Sequence, residues 1–234
     1  ILDAKKNNKV AIIFGFQNSA PIANDIFLIE KFFEAGVRFM QLTYNNQTPL
    51  AGGCFEPKDS GLSRFGKVVI EEMNRLGMIV DLSHAGKQTC LDAIEVSNKP
   101  VAISHANPSF FHKSKRNIDT DILKKLVNKN GFIGLSLYPY HLKNLGDCTI
   151  EDFCEMINEL VNLIGEDNIG IGSDLCLNWP DNVVMWMRNG KWTKVIDYGE
   201  SKDKNPKWPN LPSWYKQPSD LNNLFYLMCE NNIP

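Results

Sequence analysis

The segment that decides the fold runs from residue 78 to residue 106 and contains two apolar runs, Met78-Ile-Val-Asp-Leu-Ser-His84 and Pro100-Val-Ala-Ile-Ser-His105. A helix-like stretch separates them, so the pattern predicts two neighbouring parallel strands joined by a helix. Strands in a sheet lie about 4.8 Å apart. The two histidines are therefore expected side by side, at equivalent C-terminal strand ends.

His84 and His105 follow their runs in the same alternation of side chains, so both are expected on one face of the sheet. Two imidazoles placed in this way can bind one metal ion at about 2.0–2.1 Å per nitrogen. Asp81 falls on the opposite face, which argues against it as a third ligand. A histidine after a strand is more often a polar residue satisfied at a loop start, and the spacing alone leaves both interpretations open.

The composition allows an enzyme and gives no sign of a nucleic-acid or membrane protein. The 234 residues suffice for one large domain, and a formal net charge of -2 without a basic run gives no footprint for nucleic acid. No apolar stretch reaches the ~18–20 residues that a membrane span needs. The six cysteines form no C-x-x-C pair and indicate reduced thiols in a cytoplasmic protein, although the sequence begins at Ile1 and a targeting segment could precede it.

Strand-like and helix-like segments alternate along residues 1–234 without a break in composition, which predicts a single domain of repeated β-α units. The strand candidates are short apolar runs typical of a buried parallel sheet. They are Val10–Phe14, Val37–Thr43, Met78–Ser83, Val101–Ser104, Phe132–Tyr138 and Ile169–Ser173. The helix signals are a capping box at Thr149, a cap at Asp119 with a stop at Gly131, and the stops Gly36 and Gly77.

Polar residues decide between the two folds that such units build, a doubly wound sheet and a (β/α)8 TIM-type barrel. Directly after five of the six strands come Gln17, Tyr44, His84, His105 and Asp174. Active-site residues of a barrel lie at the C-terminal ends of many strands, whereas an open sheet concentrates them at one switch point. The distribution predicts the barrel. Gly170 and Gly172 precede Asp174, and close approach of a ligand or ordinary tight packing would explain them.

Several segments resemble the membrane or renal dipeptidases, a family of zinc metallopeptidases on an amidohydrolase-like barrel. The resemblance covers about residues 10 to 175. The segments that carry it are Gly36-Val-Arg-Phe-Met-Gln-Leu-Thr-Tyr-Asn45, Gly61-Leu-Ser-Arg-Phe-Gly66, Glu72-Met-Asn-Arg-Leu-Gly-Met-Ile-Val-Asp-Leu-Ser-His84, Ile103-Ser-His-Ala106, Arg116-Asn117 and Gly170-Ile-Gly-Ser-Asp174.

The resemblance implies a role for four residues. His84 and His105 would bind zinc, Asp174 would be the catalytic carboxylate, and Arg116 would hold the terminal carboxylate of the substrate. The residue types suit this chemistry, because a carboxylate can take and return a proton and a guanidinium forms a two-pronged contact with a carboxylate. For Arg116 taken alone, a surface ion pair is the alternative.

The chain departs from the family pattern at three places. The family has a His-x-Asp pair on its first strand, a glutamate that bridges two zinc ions at the position of Gln17, and a histidine at the position of Tyr44. No His-x-Asp pair precedes Val10, and six strands agree with one or two N-terminal strands lying outside this sequence. An amide cannot bridge two cations as a carboxylate does. We therefore expect a single zinc ion, with Gln17 and Tyr44 left to contact the substrate.

Residues 175–218 are irregular and rich in tryptophan and proline. Their aromatic side chains are expected to hold the segment against the barrel, while a lid or a homodimer surface is the alternative. The tryptophans are Trp179, Trp186, Trp192, Trp208 and Trp214. A closing helix is predicted over Asn222–Cys229.

The sequence thus predicts a zinc-dependent dipeptidase-type hydrolase that cleaves the amide bond of a dipeptide or a related small amide. Two alternatives stay open. One is a weakly catalytic or non-catalytic member that binds a small ligand, and the other is a metal-dependent hydrolase of a non-peptide amide or lactone. Gln17 and Tyr44 favour the alternatives, and the four intact family residues favour the dipeptidase.

Overall fold

The computed structural model of the protein describes residues 1–184 and 207–233. Its centre is a sheet of six parallel strands whose spatial order equals their order in the sequence. The strands are β1 (Phe14–Phe16), β2 (Val37–Gln41), β3 (Ile79–Asp81), β4 (Ala102–Ala106), β5 (Phe132–Leu135) and β6 (Ile169–Ile171). Because all six run in one direction, their C-terminal ends meet along one edge of the sheet.

Helices connect the strands and cover the outer face of the sheet. They are α1 (Leu2–Lys6), α2 (Phe27–Glu34), α3 (Arg64–Leu76), α4 (Lys87–Val96), α5 (Thr120–Asn128), α6 (Ile150–Ile164) and α7 (Leu221–Glu230). From α2 to α7 each helix contacts the next, so that their apolar faces and the strands enclose one core. The helix α3 illustrates the local signals: the Ser63 hydroxyl accepts a hydrogen bond from the Gly66 amide at the start, and Gly77 ends the helix in the left-handed conformation.

All six predicted strands exist, but the first one lies further along the chain. The apolar run from Val10 was expected to form it, yet β1 begins only at Phe14, where pairing with Val37 of β2 starts. Val10 is 90% exposed and Ile12 is 78% exposed. An apolar run without a neighbouring strand has no partner for its backbone groups, so this part of the prediction is wrong.

The helix caps are confirmed in part. At Thr149 the hydroxyl accepts a hydrogen bond from the Asp152 amide, while the Asp152 carboxylate receives the Thr149 hydroxyl instead of completing a capping box through the backbone. Asp119 precedes α5 as predicted but makes no capping bond, because its carboxylate binds Lys87 and Ser109. The helix α5 then ends at Asn128, ahead of the predicted stop at Gly131.

The six parallel strands, connected by helices, agree with part of the predicted (β/α)8 barrel. Within them β1 and β6 are the two edges of the sheet. The predicted closing helix is present as α7. No helix within residues 1–184 and 207–233 is long and apolar enough to cross a membrane. All six cysteines are free thiols, as the sequence indicated.

The tryptophan-rich segment packs against the barrel at Trp214 and Tyr215, whereas Trp179 is 50% exposed. The Trp214 ring lies 5.6 Å from the ring of Phe153 on α6, and its indole donates to the Cys148 carbonyl. The neighbouring Tyr215 is buried. These contacts agree with the expected clamping role, while Trp186 and Trp192 lie outside the described residues.

Candidate metal centre and substrate pocket

The predicted site residues come together in one pocket at the C-terminal edge of the sheet. Five of them, Gln17, Tyr44, His84, Arg116 and Asp174, line this pocket. His105 lies directly behind the lining, with its Nε2 atom 3.0 Å from Nε2 of His84. The meeting of six residues from five β-α units is what a barrel active site requires.

The backbone that aims these side chains differs from the predicted alternation. The strand β3 ends at Asp81, three residues before His84, and His84 has a φ of 66°. Asn45 and Asp174, which also line the pocket, have φ values of 62° and 53°. Left-handed backbone is uncommon outside glycine and is found at sites where a side chain must take a fixed direction. The two histidines therefore meet because His84 leaves the strand geometry, whereas the prediction had it continue that geometry.

Each imidazole of the pair is held through its Nδ1 atom. Nδ1 of His84 lies 2.6 Å from Oδ1 of Asn45, an acceptor, so Nδ1 carries the proton. Nδ1 of His105 lies 2.8 Å from Oγ of Ser104, and this hydroxyl gives its own proton to the Asp81 carboxylate. Nδ1 of His105 is therefore also the donor. Both rings consequently present an unprotonated Nε2 to the same point.

A single buried carboxylate organises both Ser-His motifs. Asp81 accepts hydrogen bonds from the hydroxyls and amides of Ser83 and Ser104 and from the amide group of Gln41. The Ser83 hydroxyl in turn accepts the backbone N–H of His105. Asp81 thus acts on the rings only through the serines, in agreement with its predicted position on the opposite face.

Two nitrogen lone pairs that face each other at 3.0 Å repel unless a cation lies between them. Zinc held at about 2.0–2.1 Å by two ligands in tetrahedral geometry sets them about 3.3 Å apart. The pair therefore fits one zinc ion after a shift of a few tenths of an ångström. Catalytic zinc sites usually have three protein ligands, and the described residues contain no group of three His, Cys, Asp or Glu side chains that could hold a metal.

Burial keeps both rings in the form that binds metals. Desolvation lowers the pKa of His84 well below its usual value, and the nearby Arg116 guanidinium lowers it further. Desolvation also lowers the pKa of His105, against the opposing effect of the Asp174 carboxylate. Neutral imidazole is the ligand form for zinc, so the pocket is prepared for a cation without prior loss of a proton.

Arg116 is buried rather than part of a surface ion pair. It is 3% exposed, donates one hydrogen bond to the His105 carbonyl, and pairs with no carboxylate among the described residues. A buried charge without a counterion is costly. Since Arg116 lines the pocket, an anionic group of a ligand can supply the missing partner.

The two departures from the family pattern lie against the histidine pair. Nε2 of the exposed Gln17 is 3.4 Å from Nε2 of His105, so an amide occupies the place beside the candidate metal position. The Tyr44 ring stacks on the His84 ring at 4.1 Å between centroids. Asp174 is half-buried and makes no hydrogen bond to the described residues, which leaves its carboxylate available to the pocket.

Two glycines precede Asp174, and close backbone packing requires a glycine only at position 172. A Cβ atom on Gly172 or on Gly134 would overlap the Ser104 carbonyl oxygen, so the backbones of β4, β5 and β6 approach too closely for a side chain. A Cβ atom on Gly170 would meet nothing within 4 Å. Tight packing, one of the two predicted alternatives, therefore explains Gly172.

Asn45 and His141 are among the polar pocket residues that the sequence did not predict. Asn45 is the last residue of a segment that carries the family resemblance, but an amide at a loop start gives no signal of its own. His141 had a usable signal. It is one of only four histidines and follows a predicted strand, as do His84 and His105.

The comparison with solved structures shows that the chain has an amidohydrolase-like barrel fold, as the sequence predicted. A crystal structure of an amidohydrolase from Pseudomonas aeruginosa matches with a TM-score of 0.89 and 33% identity, over 100% of this chain and 70% of that chain. A metallopeptidase from Rhodobacter sphaeroides, liganded with a phosphinate mimic of the dipeptide L-Ala-D-Ala, matches with a TM-score of 0.78 over 98% of this chain and 60% of that chain. At 19% identity the second match shows the fold alone.

The family is defined by the sequence comparisons. The family model for membrane dipeptidase, peptidase family M19, matches residues 1–181, and the chain belongs to this family. An uncharacterized dipeptidase of Schizosaccharomyces pombe is 32% identical over 179 residues, which are 73% of this chain and 42% of that protein. The dipeptidase aclJ of Aspergillus oryzae is 31% identical over 170 residues, 71% of this chain and 40% of that protein. The chain spans about two fifths of the length of these relatives.

Proposed function

We propose that this chain carries the active site of a zinc-dependent dipeptidase, which hydrolyses the amide bond of a dipeptide or a related small amide. The observation that carries the proposal is the pair of unprotonated Nε2 atoms of His84 and His105, 3.0 Å apart. The pair lies in the same pocket as the carboxylate of Asp174 and the guanidinium of Arg116, which pairs with no carboxylate among the described residues. Membership of the membrane dipeptidase family supports the same reaction.

Each of the four residues would have a separate role in the reaction. His84 and His105 would hold the ion, which supplies a Lewis acid for the scissile carbonyl and lowers the pKa of a water molecule to about 7. Arg116 would fix the substrate through its terminal carboxylate. Asp174 would accept the proton of the attacking water and return it to the leaving amine. Hydrolysis then consumes one water and yields two amino acids.

Gln17 supports a second candidate. Because an amide oxygen is a weaker ligand than a carboxylate and cannot bridge two cations, the site holds at most one tightly bound ion. A mononuclear site would suit a hydrolase that acts on a lactone or a non-peptide amide. It would also suit a protein that binds a small ligand and catalyses weakly. The cytoplasmic location inferred from the cysteines remains a prediction.

Hydrolysis measurements on the whole protein test the proposal. A panel of dipeptides, assayed with and without added zinc, is expected to show metal-dependent release of amino acids. Asp174→Asn keeps the shape and removes the base, so turnover should fall by about 10²- to 10⁴-fold while ligand affinity stays nearly unchanged. If no dipeptide is hydrolysed with any divalent metal, and Asp174→Asn alters only affinity, the protein is a binding protein.

A further inference from the structure

His141 is the third histidine of the pocket and has no role in the mechanism above. It ends the short turn Pro139–His141 that follows β5, and it is 3% exposed. Its backbone is fixed, because its carbonyl accepts hydrogen bonds from the side chains of Asn107 and Asn117. The ring lines the pocket together with Arg116. A buried imidazole held this firmly at the wall of a pocket is suited to contact a ligand.

The hydrogen bonds of Ser136 define which nitrogen of His141 carries the proton. Ser136 is fully buried, and its hydroxyl oxygen accepts the Tyr138 amide at 3.2 Å. The only acceptor within reach of its hydroxyl proton, among the described residues, is Nδ1 of His141 at 2.8 Å. A buried hydroxyl that fails to donate loses a hydrogen bond, so Ser136 donates to Nδ1. The ring proton of neutral His141 is therefore on Nε2.

This tautomer is the reverse of the one in the metal pair. His84 and His105 donate through Nδ1 and turn lone pairs inward, whereas His141 accepts through Nδ1 and offers an N–H at Nε2. No hydrogen bond joins this Nε2 atom to any described residue. Because a protonated nitrogen cannot ligate a metal, His141 is unsuited to be the third ligand. It is suited to donate a hydrogen bond to an anion.

We propose that Nε2–H of His141 is a second donor, beside the guanidinium of Arg116, for the terminal carboxylate of the substrate. The inference rests on the proposed function. A carboxylate has two oxygens and about four acceptor positions, so it can use donors from two sides. The pair would select ligands with a free carboxylate over neutral amides of the same shape.

The electrostatics of the pocket support a neutral donor close to Arg116. Burial lowers the pKa of His141 well below its usual value, and among charged groups the guanidinium of Arg116 contributes most to this shift, ahead of His105. A second cation would raise the cost of burying Arg116 in the absence of ligand. A neutral N–H adds a hydrogen bond without that cost.

The tautomer can be measured without any activity. In the whole protein labelled with ¹⁵N-histidine, long-range proton–nitrogen spectra distinguish the two neutral forms, and His141→Phe assigns its signals by difference. We expect His141 in the Nε2–H form, and we expect addition of L-Ala-L-Ala to shift this nitrogen. An Nδ1–H form, or no shift on saturation with the dipeptide, would overturn the proposal.

Binding measurements test the carboxylate itself. In an Asp174→Asn background, which avoids turnover, titration calorimetry would compare L-Ala-L-Ala with L-alanyl-L-alaninamide. His141→Phe keeps an aromatic ring and removes the donor, so affinity for the acid should fall roughly ten- to a hundredfold while affinity for the amide stays within about twofold. His112→Phe is the matched control, since His112 is half-buried outside the pocket and should change neither affinity.

His141→Gln keeps a donor near the position of Nε2 and should retain most of the affinity for the acid, which provides a second variant if His141→Phe does not fold. Equal losses for acid and amide, or no loss for either, would overturn the proposal. So would a fall in kcat with unchanged KM for His141→Phe in the otherwise native protein, because the donor would then act on the transition state. Absent hydrolysis with intact carboxylate-dependent binding would contradict only the proposed function.

Discussion

The two Ser-His motifs provide an internal test of how the metal site is held. Ser104→Ala removes the hydroxyl that accepts the Nδ1 proton of His105, and it also removes a donor to Asp81. Ser83→Ala removes an equivalent donor to the same carboxylate but touches no ring nitrogen. The two variants therefore match in residue type and in the loss of a donor to Asp81, although Ser83 is buried and Ser104 is half-buried. Only Ser104 contacts a ring nitrogen, whereas Ser83 contacts the backbone N–H of His105.

The expected magnitudes separate the two effects. Each substitution takes a hydrogen bond from a buried charged group, which typically costs about 1.5–3 kcal/mol of the free energy of unfolding. Loss of an outer contact to a metal-binding histidine typically weakens metal affinity about 10–100-fold. We expect similar destabilisation in both variants and this weakening in Ser104→Ala alone.

Competition with a chromophoric chelator would give the zinc affinities, and urea unfolding of the metal-free proteins would give the stabilities. If the free energies of unfolding of the two variants lie within about 1 kcal/mol of each other, a difference in zinc affinity cannot be attributed to a difference in stability. Equal zinc affinities for the two variants would refute the assignment of Nδ1 of His105 as a donor to Ser104, and with it the argument that both Nε2 lone pairs converge.

Two further predictions follow from the pocket. Elemental analysis of the whole protein should give at most one tightly bound divalent ion per chain. His84→Ala or His105→Ala should each remove this ion, because one imidazole cannot hold zinc alone. Two ions per chain, or metal retained in either variant, would place the metal centre elsewhere. Arg116→Lys should weaken binding of a carboxylate-bearing ligand about ten- to a hundredfold, because a point charge cannot reproduce the two-pronged contact; unchanged affinity would show that the guanidinium serves only its bond to the His105 carbonyl.

The positions of the strands could be predicted wherever a buried apolar run has neighbours on both sides. Met78–Ser83 and Val101–Ser104 were correct to within a few residues, because their side chains enter the core from both faces of the sheet. The run from Val10 has the same composition but no partner among the described strands until Phe14. The composition of an apolar run indicates that the run tends to be buried. It does not indicate which strand will form backbone hydrogen bonds with that run.

The histidine pair was predicted for a reason that the structure corrects. Alternation along β3 was expected to carry His84 to the ligand face, yet the chain leaves the strand at Asp81 and turns His84 inward through left-handed backbone. The same alternation did place Asp81, Ser83 and Ser104 on the other face, where they form the hydrogen-bonded network. Periodicity predicts which residues share a side, and a single backbone turn decides where a side chain finally points.

The three imidazoles of the pocket show why residue identity alone did not define the site. The sequence alone does not distinguish the roles of His84, His105 and His141, since each is a buried histidine at the end of a strand or turn. Their chemistry is separated by the partner of Nδ1. An acceptor at Nδ1, which the structure gives as Asn45 for His84 and Ser104 for His105, leaves a lone pair for a metal. A donor at Nδ1, the Ser136 hydroxyl, leaves an N–H for an anion. Those partners come from distant positions in the sequence or depend on where a hydroxyl sends its proton, so only the assembled structure distinguishes a ligand of the metal from a donor to the substrate.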